Sequence, residues 1–255
     1  MKIATWNVNS IRARLPRLLD WLGRERPDVA CLQETKVVDD QFPFAEIEAL
    51  GYRCAVFGQK TYNGVALLSL APAADVVRGL PGDAADAERR VIAATVAGVR
   101  VVSVYAPNGT ALDSPRYGDK LAWYRRFRDW LDAAVPPASP LVLAGDFNVA
   151  PADRDVWNVA AWRGQLLFTE PEKEALRHLA GWGLTDLLRR HHPEETIYTW
   201  WDYRGGAFHR GWGLRIDHIL ASAPMAARCT GAAVHRDERK GEKPSDHAPV
   251  MASFD

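Results

Sequence analysis

Six apolar segments of this 255-residue chain border residues that could do chemistry. The first closes on Asn7-Val8-Asn9. Val29–Leu32 runs into Gln33-Glu34-Thr35-Lys36, and Val101–Val104 into Tyr105-Ala106-Pro107-Asn108-Gly109. Leu141–Ala144 leads to Gly145-Asp146-Phe147-Asn148, Leu214-Arg215-Ile216 to Asp217-His218, and Ser245-Asp246-His247 precedes the last apolar run. A carboxylate or amide emerging from a buried strand carries a heavy desolvation cost unless it is paired or binds a metal. One Asp in such a place is an ordinary turn or cap. Six such ends together point to a shared site, because open α/β sheets bind ligands where strand ends converge.

The converging set would hold four carboxylates (Glu34, Asp146, Asp217, Asp246), several amides, Tyr105 and His247. These are hard oxygen donors without a thiolate, which suits Mg²⁺ or Mn²⁺ rather than zinc. Asp146 and Asn148, two apart on a segment read as extended, would point to one side, one to activate water and the other to hold substrate. Asp217 beside a histidine fits a carboxylate that orients an imidazole. No G-x-S-x-G elbow is present, which argues against acyl transfer. Metal-assisted hydrolysis of a phosphodiester is what remains.

The elements that must position these groups are short β-branched runs separated by a few helices. Strands are expected at Ile3–Val8, Val29–Gln33, Arg53–Phe57, Val65–Leu70, Arg90–Val96, Val99–Tyr105, Leu141–Ala144, Thr196–Trp201, Leu214–Leu220 and Val250–Phe254. Helices are expected at Arg12–Glu25, Asp119–Ala134 and Glu172–Ala180. In the first, Leu15, Leu18, Leu19 and Leu22 form one stripe and Pro27 ends it. The Ala133–Pro140 stretch reads as a loop before a strand rather than a linker. This pattern predicts a single α/β domain over residues 1–255, a four-layer α/β sandwich of two packed mixed sheets flanked by helices.

Composition narrows the class. Hydrophobic residues make up 47% and charged residues 25%, an ordinary globular balance. No run approaches the ~20 apolar residues of a membrane span, and the N-terminus turns polar too soon for a signal peptide. Cys31, Cys54 and Cys229 are odd in number and lack zinc spacing, so a reducing, cytoplasmic setting is expected. The 32 basic residues, 25 of them Arg, balance 32 acidic ones, which at first counts against a nucleic-acid binder. His191-His192-Pro193 reads as a helix end, most of the ten Trp as core, and Asp39-Asp40 and Asp237–Lys240 as solvated charge runs.

Eight segments resemble the exonuclease III family of abasic-site endonucleases, within the endonuclease/exonuclease/phosphatase superfamily. They are W-N-V-N-S-I-R-A-R, P-D-V-A-C-L-Q-E-T-K, G-V-A-L-L-S, Y-A-P-N-G, G-D-F-N-V-A-P, T-W-W-D-Y-R, L-R-I-D-H-I-L-A-S and K-P-S-D-H-A-P-V, in the family's order. The resemblance implies that Asn7 and Glu34 bind metal, with Asp246 a further or water-mediated ligand. It implies that Asp146 orients or deprotonates the attacking water, and that Asn148 holds the scissile phosphate. Tyr105 would stand beside the phosphate and leaving group, and Asp217 with His247 would engage a phosphate oxygen. The metal set drawn from these matches is Asn7, Glu34, Asp146, Asn148, Asp246 and His247, with Mg²⁺ or Mn²⁺ as the ion.

The implied substrate is duplex DNA carrying an abasic site or a 3′ end, cut by a monomer. Trp200, Trp212 and Leu214 resemble the apolar pocket that receives a flipped-out, baseless sugar, whose extrusion forfeits no base stacking. Other DNA contacts would come from Arg12, Arg14, Lys60, Asn63, Asn108, Arg204 and Arg215. With the four site carboxylates set aside, basic residues outnumber acidic ones by four, so a neutral total is compatible with a basic rim. Rival expectations are another phosphate substrate (RNA, inositol or lipid phosphate) or a catalytically silent DNA-binding relative.

Overall fold

The computed structural model describes residues 1–84, 87–136 and 138–255. Its strands are β1 (Lys2–Asn7), β2 (Val29–Gln33), β3 (Arg53–Phe57), β4 (Val65–Ser69), β5 (Ala73–Arg78) and β6 (Val91–Val96). The second half adds β7 (Val99–Tyr105), β8 (Leu141–Asp146), β9 (Thr185–Asp186), β10 (Asp217–Ala221), β11 (Cys229–Val234) and β12 (Val250–Phe254). They form two mixed six-stranded sheets, ordered β11-β12-β1-β2-β4-β3 and β5-β6-β7-β8-β10-β9. The three long helices are α1 (Ile11–Glu25), α2 (Pro115–Ala134) and α3 (Glu170–Ala180).

Alternation along the strands explains the four layers. Ile3, Val29, Cys31, Val65 and Leu67 face inward and meet Ile92, Ala94, Val101, Val142 and Ala144 of the other sheet. The intervening residues Ala4, Trp6, Ala30 and Leu32 face outward onto α1, packing with Leu18, Trp21 and Leu22. Burial of each such side chain contributes roughly 1.5–3 kcal/mol. On the opposite side Val102, Val104, Leu141 and Leu143 pack against Trp123, Tyr124 and Phe127 of α2. The α/β sandwich is therefore as expected. Polar side chains also cross between the sheets: Thr5 Oγ1 donates to Gln33 Oε1 at 3.0 Å, and Gln33 Nε2 to Ser103 Oγ at 3.1 Å. A fully satisfied buried network of this kind favours one register of the two sheets behind the site.

Several expectations change. Thr196–Trp201 is not a strand: Trp200 makes only single bridges, to Leu214 and to His247. Leu214 is drawn into bridges with Trp200 and Val156, so the strand expected from Leu214 begins only at Asp217. The edge strands β5 and β11 went unseen because their Ala- and Gly-containing sequences have weak strand propensity. The loop before β8 is present, although its Pro137 lies outside the described residues. Arg239, expected in a solvated run, is buried and donates to the carbonyls of Ser245 and Trp201. Six of the ten Trp are buried, whereas Trp157, Trp162, Trp200 and Trp212 are half-exposed. The thiols are all free, and burial pushes that of Cys54 up to about 12. Among the described residues no helix is long and apolar enough to cross a membrane.

Candidate active site

The register of both sheets brings the six strand ends to one edge. In the first sheet Asn7 pairs with Gln33 across the parallel β1–β2 ladder, placing Glu34 one residue beyond. In the second, Tyr105 and Asp217 both lie opposite Asp146, on β7 and β10. Gly145 makes this spacing possible, since a Cβ there would come within 1.9 Å of the Val104 carbonyl oxygen. Asn7 links the sheets, its Nδ2 donating to Glu34 Oε1 at 2.8 Å and to Asp146 Oδ2 at 2.9 Å. Ser245 Oγ secures this junction by donating to the Asn7 carbonyl at 2.6 Å.

His247 lies between two carboxylates. Its Nδ1 is 2.9 Å from Asp217 Oδ2 and its Nε2 is 3.7 Å from Asp146 Oδ2. Burial opposes the imidazolium, yet Asp217 and Asp146 outweigh it and raise the pKa to about 10. Asp146 moves the same way for another reason. Burial, assisted by Asp217 and opposed by His247, lifts its carboxyl to about 7. The Tyr105 phenol is held well above its ordinary value by burial and by the Glu34 and Asp146 charges, so it remains a hydrogen-bond donor. Asp246 is kept low: burial works against its charge, but His247, Trp200 Nε1 at 3.0 Å and Asn9 Nδ2 at 2.9 Å prevail.

Asn148 differs from expectation in conformation. It is not extended from Asp146 but sits at φ 52°, and its own N–H donates to Asp146 Oδ1 at 2.9 Å. The two side chains meet through a turn. One N–H of the Asn148 amide bonds the Ala106 carbonyl at 2.9 Å, leaving the other N–H for a ligand, while its Oδ1 accepts from Asn108.

Glu34, Asp146 and His247 present ligand atoms within 4.8 Å of one another. A divalent cation fits the two carboxylates of this set. Lys36 pairs with Glu34 and His247 lies between Asp146 and Asp217, while Asp217 Oδ1 is buried without a partner among the described residues. Hard oxygens of this kind suit Mg²⁺ or Mn²⁺. His247 is within reach, but as an imidazolium it has no lone pair to give. The two oxygens of Asp246 are already engaged by Asn9 and Trp200.

The model of the endonuclease/exonuclease/phosphatase family matches residues 4–247, nearly the whole chain. The chain belongs to that family. It is 35% identical to exodeoxyribonuclease III of Haemophilus influenzae, with all of both chains covered. A 3′ phosphatase, NExo, from Neisseria, solved with a product DNA hairpin, superposes with a TM-score of 0.97 at 47% identity, covering 100% of this chain and 99% of that one. An AP endonuclease from Archaeoglobus fulgidus gives 0.97 at 43% identity, again covering 100% and 99%.

The family's expected outer contacts differ in exposure. Arg12, Lys60, Asn108 and Arg204 are exposed, Arg204 in an ion pair with Asp202. Asn63 is buried against Gln59 but, with Asn108 and Tyr105, lines a groove of about 800 Å³. Arg14 is half-buried and donates to the Tyr203 hydroxyl at 2.6 Å and the Pro244 carbonyl at 3.2 Å. Arg215 must be corrected: it is 1% exposed, bonded to both oxygens of Asp155 and to Asp186 and His218, so it is structural. Leu214 is likewise fully buried and backs the aromatic wall instead of lining it. In that wall Trp212 stacks on Trp157 at 4.8 Å, with Arg210 over the Trp212 ring.

Sequence reasoning missed Trp157, Asn9, Lys36 and Arg90. Asn9 bonds Asp246 and Lys36; Lys36 pairs with Glu34 at 2.7 Å; Arg90 stacks on the Tyr105 ring at 4.8 Å. Two of these were within reach of the sequence, because Asn9 and Lys36 each stand two residues beyond a site residue.

Proposed function

We propose that this protein is a DNA-repair nuclease that hydrolyses the phosphodiester 5′ to an abasic site in duplex DNA, and trims 3′ ends at the same centre. The observation that carries this reading is the Asn7–Asp146–His247 junction, where a carboxylate of raised pKa lies between a metal-side cluster and a protonated histidine. Asp146, titrating near neutrality, accepts the proton of the attacking water. The His247 imidazolium, held by Asp217, donates to a non-bridging phosphate oxygen and offsets charge as it builds. The free N–H of Asn148 holds the scissile phosphate, and the Tyr105 hydroxyl donates toward the leaving oxygen. Glu34 and the Asn7 side-chain oxygen would hold a Mg²⁺ or Mn²⁺ ion next to Asp146; when bound, the ion supplies Lewis-acid stabilisation of the leaving group.

The half-exposed wall of Trp200, Trp212 and Trp157 is suited to receive a baseless sugar, which gives up no stacking on extrusion. The same reading has the protein acting in the cytoplasm as a monomer. Its relatives argue for DNA over inositol or lipid phosphates, and the complete set of matched residues argues against a silent homologue.

The test is a duplex bearing one abasic analogue, incubated with Mg²⁺ and then with EDTA. The reading requires metal-dependent nicking 5′ to the lesion, and no nick at all would overturn it. Asp146→Asn should abolish cutting while duplex affinity stays within about threefold, since the change removes a proton acceptor and keeps the shape. Loss of binding would make Asp146 a structural group.

A further inference from the structure

Beneath the Asp146–Asn148 turn lies a charge that the reaction above does not use. Lys120 on α2 and Glu172 on α3 are each 0% exposed. The Lys120 ammonium donates to the Asn148 carbonyl at 2.7 Å, the Asn108 carbonyl at 3.1 Å and Glu172 Oε1 at 2.5 Å. A lysine has three N–H donors, so all are used. Glu172 in turn accepts from the Leu167 N–H at 3.0 Å, the Thr169 N–H at 3.0 Å and Thr169 Oγ1 at 2.7 Å. Tyr117 extends the cluster by bonding Thr169 Oγ1 at 2.6 Å. The turn after β7, the turn after β8 and the segment leading into α3 are thus tied to one buried ion pair.

Bulk stability does not account for this pair, because replacing both members of a buried ion pair with uncharged groups is often neutral or stabilising. Its geometry is more informative. Asn148 holds φ 52°, a left-handed conformation that few residues other than glycine and asparagine adopt. The carbonyl of this residue is fixed by Lys120, while its N–H is fixed by Asp146 Oδ1. Asn108, whose carbonyl is the lysine's second acceptor, donates its side-chain amide to Asn148 Oδ1 at 3.2 Å. Gly109, at φ 97°, lets this turn close over the lysine stem; a Cβ there would lie 3.3 Å from Lys120 Cδ and 3.1 Å from Leu166 Cδ1.

We propose that Lys120 and Glu172 are positioning residues: by holding the Asn108 and Asn148 carbonyls they set the aim of the Asp146 carboxylate and the Asn148 amide at the reacting phosphate. Neither touches substrate. The inference rests on the nuclease reading, since aim matters only if those side chains act on phosphate.

The test compares wild type with the double variant Lys120→Met/Glu172→Gln, which removes both charges and so strands neither. A misplacement of about 1 Å can cost roughly 100-fold in rate. The double variant should therefore melt within a few degrees of wild type and keep its KM for abasic duplex, while kcat falls roughly 10- to 100-fold. Amide hydrogen exchange should quicken at Asn148 and at Thr110, whose N–H groups are held by Asp146 Oδ1 and Asn108 Oδ1, and stay unchanged in β1, β2 and β8. A folded double variant with wild-type kcat and exchange overturns the proposal, as does a raised KM at unchanged kcat. Should the double variant fail to fold, Glu172→Gln alone should lower kcat several-fold with KM unchanged and faster exchange at Asn148; wild-type values for both overturn it. If wild type cuts no DNA the nuclease reading fails, and the exchange data, which need no substrate, still decide whether the pair holds the two turns.

Discussion

Asp217 holds His247 from behind: the carboxylate Oδ2 is 2.9 Å from the imidazole Nδ1, which leaves Nε2 turned toward Asp146. The pair joins β10 of one sheet to the residues preceding β12 of the other, so the histidine is fixed where the two sheets meet. The peptide N–H of Asp217 itself donates to Thr199 Oγ1 at 3.1 Å. The histidine is thereby kept in one orientation and one charge state.

Replacing Asp217 with Asn should expose that dependence. Without the anion, burial lowers the imidazole pKa from about 10 toward or below its ordinary value. A reaction that needs the cation then fails at lower pH, and kcat at pH 8 should fall on the order of 100-fold or more, as for loss of one oxyanion donor. Stability has the same sign. A raised folded-state pKa stabilises wild type fully below about 6.5 and loses that contribution as pH rises toward 10. Metal-free wild type should therefore lose Tm across that window, and Asp217→Asn should lose less. An unchanged alkaline limb in kcat would contradict the assignment.

Stability at acid pH should be governed by a different group. Asp186 is held well below its ordinary pKa: burial works against its charge, but Arg215 at 2.6 Å and His218 outweigh it. A depressed carboxylate stabilises the fold above its unfolded pKa, about 3.9, and that contribution is lost as pH falls below it. Asp186→Asn should destabilise the protein by about 3 kcal/mol at pH 7, the scale for breaking a buried pair. The gap between the two melting curves should narrow as pH drops from 5 toward 2. A gap constant with pH would mean that Asp186 acts through packing alone.

Much of the site was legible before the structure because its residues break a rule. Asn7, Glu34, Tyr105, Asp146 and Asp217 are polar groups at the ends of strands whose other members are apolar, and all of them meet. Arg215 was misread because a sequence cannot distinguish an arginine that meets phosphate from one that meets Asp155 and Asp186, 60 and 29 residues away. Trp157 was missed for a related reason: its partner Trp212 is distant in sequence and only the fold stacks them. Edge strands β5 and β11 escaped because their Ala- and Gly-containing sequences carry little strand propensity.

That distinction predicts how two arginines should differ in binding. Arg12 is exposed in the first turn of α1, whereas Arg215 is enclosed. Arg12→Ala should weaken duplex affinity similarly across sequences and reduce the slope of log K against log salt by about one. Arg215→Met should leave the slope of the folded fraction unchanged and lower Tm, since it abandons two buried carboxylates. Affinity measured at several salt concentrations separates the two. An equal drop in slope would return Arg215 to the DNA surface.

Metal affinity should respond in opposite directions to two neighbouring changes. Glu34 adopts φ 52° immediately after β2, which brings Oε1 to the Asn7 amide and Oε2 to Lys36 Nζ at 2.7 Å. Lys36 is itself restrained by Asn9 Oδ1 at 2.5 Å. The ammonium therefore competes with a cation for the same carboxylate. Glu34→Gln should raise the Kd for Mn²⁺ by tenfold or more, because even outer partners of metal ligands are worth roughly 10- to 100-fold. Lys36→Met removes the competitor and should lower Kd several-fold. Calorimetric titration with Mn²⁺ in the absence of DNA reads both without recourse to activity. If Lys36→Met weakens binding as Glu34→Gln does, the lysine orients the carboxylate for the ion instead of competing with it.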